Sequence, residues 1–212
     1  MRLEPPADGL RVVLYDRTCG GPTWWRPGLS DAWWVGTRLY RALGRVHVHR
    51  GVASWGEALG WLATFAQDRP LARVEYWGHG KWGRALADRE DLDERALLRE
   101  APHRPLLAAI ARRFREDGLW WFRTCETFGG AAGHRFARSW ADTLGCRVAA
   151  HTFVIGAVQS GLHSLRPGET PTWSDTEGIA EGTAQDPARA HTSSFRAPHT
   201  ITCLHDTVPE GW

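Results

Sequence analysis

Two residues that can form a nucleophilic pair lie at the ends of two strand-like runs of the sequence. Residues 73–80 are rich in β-branched and aromatic side chains and end in Gly78, His79 and Gly80, and residues 118–125 are similar and end in Cys125. A protonated imidazole lowers the pKa of a nearby thiol and so favours the thiolate, which is the nucleophilic form. The two residue types therefore predict a His79–Cys125 pair able to attack an acyl carbon.

The elements around these residues are expected to bring them to one edge of a sheet. Residues 94–117 have the apolar spacing of a helix, with Leu106, Leu107, Ile110 and Phe114 on one side. Strand, helix and strand in succession predict a right-handed crossover and a parallel pair of strands. The carboxyl ends of parallel strands share one edge, which is where open α/β sheets place their sites.

Attack on an acyl carbon also requires donors for the oxyanion that develops. The backbone N–H groups of Gly80 and Cys125 adjoin the two side chains, so we expect these two residues to form the oxyanion hole. Gly80 has no side chain, which allows a substrate carbonyl to come close.

The rest of the chain predicts a layered α/β domain. Strands are expected at 11–15, 45–49 and 147–153, and helices after the caps at Ser30 and Ser54 and over 129–144, with a small hairpin at 81–93. This alternation predicts a doubly wound, mostly parallel sheet of five to six strands with helices on both faces. We assign residues 8–165 to this domain and 166–212 to an irregular C-terminal extension, which is expected to be either a cover over the site or a partly disordered tail, with 200–204 as a candidate edge strand.

Composition narrows the classes of partner and compartment. The chain has 212 residues and a net charge of +2, which favours neither nucleic acid nor a membrane as partner. Residues 1–6 lack the apolar core of a secretion signal, and the four cysteines show no CxxC spacing. Free thiols in the cytoplasm are therefore expected.

No metal or other cofactor is expected. His47 and His49 share a strand face, but no nearby Cys or carboxylate pattern completes a metal site. Residues 78–83 lack the spacing and the Lys-Ser/Thr end of a phosphate-binding loop.

The order and spacing of the two candidate residues, together with the segment after Cys125, resemble a known superfamily. His79 precedes Cys125 by 46 residues (79 to 125), and caspases place His about 50 residues before Cys. The strand ending Gly-His-Gly, the polar insert and the strand ending in Cys resemble the caspase-like (clan CD) cysteine peptidases. Residues 125–150 are most similar to a bacterial caspase-like domain found on large surface and repeat proteins, and the resemblance covers about residues 11–156.

The resemblance implies roles for particular residues. His79 would be the general base, Cys125 the nucleophile and Gly80 the oxyanion donor, with a protein or peptide as substrate. Asp16 and Arg17 follow the first strand, from which the family often draws a charged residue of its specificity pocket.

Further substrate contacts are expected from the segment that leaves the fifth strand. By position, His151, Gln159 and Ser160 are candidates to line the cleft, as the corresponding region does in caspase-like enzymes, and Trp173 is a candidate lid.

The sequence also departs from the caspase pattern, and this leaves alternatives open. Caspases read Gln-Ala-Cys-x-Gly, whereas this chain reads Arg-Thr-Cys-Glu-Thr over residues 123–127. A carboxylate at Glu126 disfavours a thiolate if it points inward. A non-catalytic protein- or glycan-binding module on the same fold is therefore the main alternative, and the adjacent pairs Trp24–Trp25 and Trp33–Trp34 are candidate contacts. A thiol redox sensor that uses Cys19 and Cys125 is a third.

Overall fold

The computed structural model describes residues 9–23 and 25–212, so the expectations for residues 1–6, residue 8 and Trp24 lie outside the described residues. The strands are β1 Leu10–Asp16, β2 Val48–Val52, β3 Leu71–Trp77, β4 His79–Lys81, β5 Arg84–Ala87, β6 Glu90–Leu92, β7 Phe114–Arg123, β8 Arg147–His151, β9 Val158–Gln159, β10 Leu162–Leu165, β11 Ile179–Gly182, β12 Pro187–Ala190 and β13 Ile201–Thr202. The α-helices are α1 Leu29–Ala42, α2 Trp55–Thr64, α3 Arg104–Ala111 and α4 Gly130–Leu144.

Six strands form the central sheet, in the order β10-β8-β7-β3-β1-β2. Five of them are parallel, and β10 pairs antiparallel with β8 at one edge. The predicted α/β sheet, mostly parallel and with helices on both faces, is therefore confirmed. The reversal in strand order between β1 and β3 creates the switch point at which such sheets bind ligands.

The two faces of the sheet are covered differently. Helices α2, α3 and α4 pack on one face over a core that includes Trp55, Trp120 and Trp140. Helix α1 and the C-terminal extension share the other face, where Tyr40 packs on Trp77. Both faces therefore exclude water from the sheet, as parallel strands require.

Three arginines on neighbouring strands attach the C-terminal extension to the sheet. Arg73 on β3 donates to the carbonyl oxygen of Asp206, Arg123 on β7 donates to that of Cys203 over 3.1 Å, and Arg147 on β8 donates to that of Val208 over 3.2 Å. These bonds satisfy backbone acceptors that the extension would otherwise bury without partners. The extension is thus ordered against the sheet face.

A buried carboxylate connects two of these arginines. Glu75 on β3 is fully buried, and its two oxygens lie 3.0 Å from Arg73 Nε and 3.5 Å from Arg123 Nη1. Its second oxygen also accepts a hydrogen bond from the indole of Trp77. A buried charge persists only when it is paired in this way.

Several element boundaries differ from the sequence expectation. The helix expected over 94–117 is a short 3₁₀ turn, Glu94–Leu97, followed by α3, because Pro105 fixes the start of a new helix and β7 begins already at Phe114. The expected edge strand at 200–204 is wrong for the central sheet: β13 pairs with β9 outside it, and β10 provides the edge. The insert at 81–93 contributes to a three-stranded meander, β4-β5-β6.

Replacing Arg123 tests the role of the buried ion pair. Arg123→Met removes one of the two charged partners of Glu75 and the donor to Gln159 and to the carbonyl of Cys203, so we expect a loss of about 3 kcal/mol in the free energy of unfolding, measured by urea titration. The matched control is Arg189→Met, which breaks the exposed pair with Glu181 and should cost roughly 1 kcal/mol or less. Equal losses in the two variants would contradict the role assigned to Glu75.

Candidate functional site

The segments that carry His79 and Cys125 lie side by side at the carboxyl edge of the sheet. Strands β3 and β7 pair in parallel up to Trp77 opposite Arg123, so the residues after each strand leave the sheet together. A side chain at Gly80 would place its Cβ 2.6 Å from the carbonyl oxygen of Cys125 and closer still to the hydroxyl of Thr127. Only glycine therefore allows the two segments to approach this closely.

The Cys125 thiol is partly buried beside the loop that follows β8. Its Sγ accepts a hydrogen bond from the backbone N–H of Ile155 over 3.4 Å and lies 3.8 Å from the carbonyl oxygen of the same residue. Burial raises the pKa of the Cys125 thiol, and the carboxylate of Glu126 raises it further. The Ile155 N–H and the ammonium of Lys81 act in the opposite direction and lower this pKa.

Lys81 and Glu126 form an ion pair next to the thiol. Lys81 Nζ lies 3.0 Å from Glu126 Oε2, and the Glu126 side chain is only 6% exposed. Glu126 has a φ of 58°, in the left-handed region that non-glycine residues rarely adopt, and its N–H donates to the carbonyl oxygen of Phe153. Backbone of this kind, just after a candidate nucleophile, is typical of functional sites.

Lys81 was not among the site residues expected from the sequence, although a signal for it was present. It is the only lysine in the chain, and it stands two residues after His79, so strand alternation puts both on one face of β4. A Glu126 carboxylate that points inward was expected to disfavour the thiolate, and the carboxylate does point inward. The sequence did not indicate that the charge of Lys81 would offset it.

His79 is exposed and turned toward α1. Its ring meets that of Trp33 edge-on, with centroids 5.8 Å apart. Within residues 9–23 and 25–212, no hydrogen bond joins the imidazole to Cys125. The structure thus places the two residues on adjacent segments without closing the pair. Gly80, the expected oxyanion donor, lies opposite Ala85 in the meander.

Asp16 and Arg17 follow β1 at the same edge and are engaged by neighbouring groups. One oxygen of the buried Asp16 carboxylate accepts from the N–H and the hydroxyl of Thr18, and the other accepts from the N–H of Asp88. Arg17 pairs with Glu57 at 3.2 Å and is 54% exposed. Asp16 therefore organises the loop and ties it to the meander, whereas Arg17 remains accessible to a ligand.

The three cleft residues expected after β8 lie in the interior. His151 is fully buried, with Nδ1 3.1 Å from the carbonyl oxygen of Ser160, and burial lowers the pKa of its imidazole to about 3. Gln159 accepts from Arg123 over 2.9 Å, and Ser160 exchanges hydrogen bonds with the backbone of Ser194. In this structure all three support the loop and the extension behind the candidate site.

Trp173, the candidate lid, is a buried packing residue here. Its ring stacks on Phe128 and on His163, with centroids 5.4 Å and 4.6 Å apart, and its indole N–H donates to the carbonyl oxygen of Phe128. Phe128 belongs to the loop after Cys125, so these contacts with Trp173 hold the loop in place. The sequence indicated a position near the site but not that the side chain is buried.

All four cysteines are free thiols. Cys19 lies after β1, with its Sγ 3.7 Å from Asp16 Oδ2, and burial and this carboxylate raise the pKa of its thiol. Asp16 is thus the charged group beside Cys19, whereas Lys81 and Glu126 are the charged groups beside Cys125.

Other potential ligand sites are sparse near Cys125. A cavity of about 580 Å³ is lined by Arg147 and Arg166 at the opposite ends of the strands. In the described part of the chain, no cluster of three or more His, Cys, Asp or Glu side chains is arranged to hold a metal ion. Among the same residues, no helix is both long and apolar enough to span a bilayer. Comparison with protein-family models and with curated proteins finds no match to this chain.

Removing each charge beside Cys125 should shift its pKa in opposite directions. Lys81→Met removes the attraction that favours the thiolate, so iodoacetamide should label Cys125 more slowly at pH 8 than in the wild type. Glu126→Gln removes the repulsion, so labelling at the same pH should be faster. Peptide mass spectrometry reports each cysteine separately, and the exposed Cys203 is the internal reference. Identical rates in all three proteins would contradict this electrostatic account.

Proposed function

We propose that the protein is a caspase-like cysteine peptidase, with Cys125 as nucleophile and His79 as its base, described here in a resting conformation. The observation that carries the proposal is the backbone contact at Gly80, which holds the His79 segment against the Cys125 segment at the carboxyl edge of the sheet. Catalytic hydrogen bonds are often long or misaligned before substrate binds, so an open His79 is compatible with this role.

In the proposed reaction, His79 takes the proton from Cys125 Sγ and the thiolate attacks the carbonyl carbon of a peptide bond. The N–H groups of Gly80 and Cys125 donate to the oxyanion of the tetrahedral intermediate. The imidazolium then gives its proton to the departing amine, which leaves a thioester on Cys125. Water, deprotonated by His79, attacks the thioester and releases the carboxylic acid and the thiol.

Two further features support a site at this edge. The strand order reverses between β1 and β3, and ligands of doubly wound sheets bind outside the carboxyl ends at such a point. The Lys81 ammonium faces the thiol environment and offsets the Glu126 carboxylate, so a thiolate is opposed less than the sequence suggests. A protein or peptide that reaches the exposed Arg17 and His79 is the substrate we propose, and the four free thiols fit a cytoplasmic enzyme.

A binding module without catalysis is the second candidate, and the surroundings of the two side chains favour it. The Cys125 thiol is bonded to the Ile155 backbone and has a raised pKa, while the imidazole packs on Trp33. A purely structural Cys125 predicts that Cys125→Ala keeps the function of the protein.

Cleavage of a peptide library decides between the two candidates. For the peptidase, we expect cleavage at defined sites, and Cys125→Ala and His79→Ala should each lower kcat/KM by roughly a thousandfold or more. Cys203→Ala is the matched control, because this thiol is exposed and lies in the extension, and it should retain full activity. Absence of any Cys125-dependent cleavage, together with partner binding that survives Cys125→Ala, would overturn the peptidase in favour of the binding module.

A further inference from the structure

Large apolar side chains that remain exposed are concentrated in helix α1 and the residues next to its ends. Six of the nine within the described residues fall between residues 25 and 43: Trp25, Leu29, Trp34, Val35, Leu39 and Leu43. Val35 is 57% exposed and Leu39 is 43% exposed. We call Val35, Leu39 and Leu43, which follow one another at a spacing of four residues, the α1 outer face; Trp34 lies beside it. Apolar surface gathered in this way marks an interaction site, whereas scattered exposed residues do not.

The α1 outer face takes no part in the contact between α1 and the sheet. The opposite side of α1 already supplies the contacts with the sheet, through the buried Thr37 and Tyr40 and the edge-on contact of Tyr40 with Trp77. Val35 and Leu39 are one turn apart and point away from that side. The helix is therefore apolar on both sides, and only one of them is covered.

The charge carried by this helix is positive and unneutralised. In the part of the chain that the structure describes, neither Arg38 nor Arg41 forms an ion pair, and Arg38 lies 4.6 Å above the ring of Trp34. The only acidic residue of α1, Asp31, accepts hydrogen bonds from the N–H groups of Gly21 and Gly28 at the start of the helix. Arg41 and Arg38 also add to burial in lowering the pKa of His49, so their field reaches the neighbouring strand.

The shape and charge of the face select among possible occupants. A two-fold dimer centred on Leu39 would bring Arg38 and Arg41 of both copies close together, and like charges repel across an interface. A 14-residue helix is also only about 21 Å long, too short to supply by itself the ~800 Å² per partner of a standard interface. The face is the convex side of a helix, and neither principal cavity includes any of its residues, so it offers no groove to a peptide.

We propose that the α1 outer face docks on an anionic lipid surface. Its Val and Leu side chains enter the boundary between headgroups and acyl chains, the Trp34 ring lies at the headgroup level, and Arg38 and Arg41 meet lipid phosphates or carboxylates. The net charge of +2 is an average over the whole chain, whereas among the described residues neither of the two arginines beside this face forms an ion pair. The proposal does not depend on the peptidase activity.

Sedimentation of the full-length protein with vesicles tests this proposal. We expect binding to phosphatidylcholine vesicles that contain 30 mol % phosphatidylserine, and much weaker binding to phosphatidylcholine alone. Each arginine near an anionic surface contributes about a fivefold change in partitioning, so Arg38→Gln/Arg41→Gln should weaken binding roughly 30-fold. Val35→Asp/Leu39→Asp should abolish it.

The matched control is Leu98→Asp/Phe195→Asp, which introduces the same charges at exposed apolar positions outside α1 and should bind like the wild type. Circular dichroism and thermal melting establish that each variant is folded. Failure of the wild type to bind either vesicle overturns the proposal, as does equal loss of binding in the control. A concentration-dependent dimer in light scattering that Val35→Asp/Leu39→Asp abolishes, without vesicle binding, would assign the face to a second copy and also overturn it.

Discussion

The buried carboxylate of Glu75 is the interaction on which most of this structure depends. It joins Arg73 on its own strand to Arg123 on the next, and both arginines donate to backbone carbonyls of the C-terminal extension. One charge thus links the side chains of the paired strands β3 and β7 to the extension. Glu75 precedes His79 by four residues and Arg123 precedes Cys125 by two. The same ion pair therefore lies just below the strand ends that carry the candidate site.

The geometry of the candidate site itself depends on a close approach between two backbone segments. Gly80 lets the meander touch the Cys125 loop, and the left-handed Glu126 turns that loop toward Phe153. The same turn directs a carboxylate inward beside the thiol, where its charge opposes the thiolate. Lys81 offsets this cost and stands on the face of β4 that also carries His79. The pKa of the Cys125 thiol therefore depends on two opposing charges, and a substrate or partner that moves Lys81 or Glu126 would shift it.

The sequence predicted the sheet well and the site only in part. Runs of β-branched residues and stretches with helical apolar spacing show which side chains are buried in strands and helices. The five parallel strands, and the strand ends near His79 and Cys125, could therefore be predicted. The interior roles of His151, Gln159 and Trp173 could not, because each depends on a contact with a distant segment: Ser160, Arg123 or Phe128. The expected helix over 94–117 was wrong because apolar spacing does not reveal where α3 stops and a ten-residue β7 begins.

A crystal structure of the protein after reaction with a peptide aldehyde tests the central claim, that His79 and Cys125 act as a pair, most directly. If they do, Cys125 Sγ forms a covalent bond to the aldehyde carbon, and the oxygen of the adduct faces the N–H of Gly80. The His79 ring then leaves Trp33 and comes within about 2.6–3.2 Å of the adduct. An unmodified Cys125, with His79 still packed on Trp33 and the peptide bound elsewhere or absent, would contradict it.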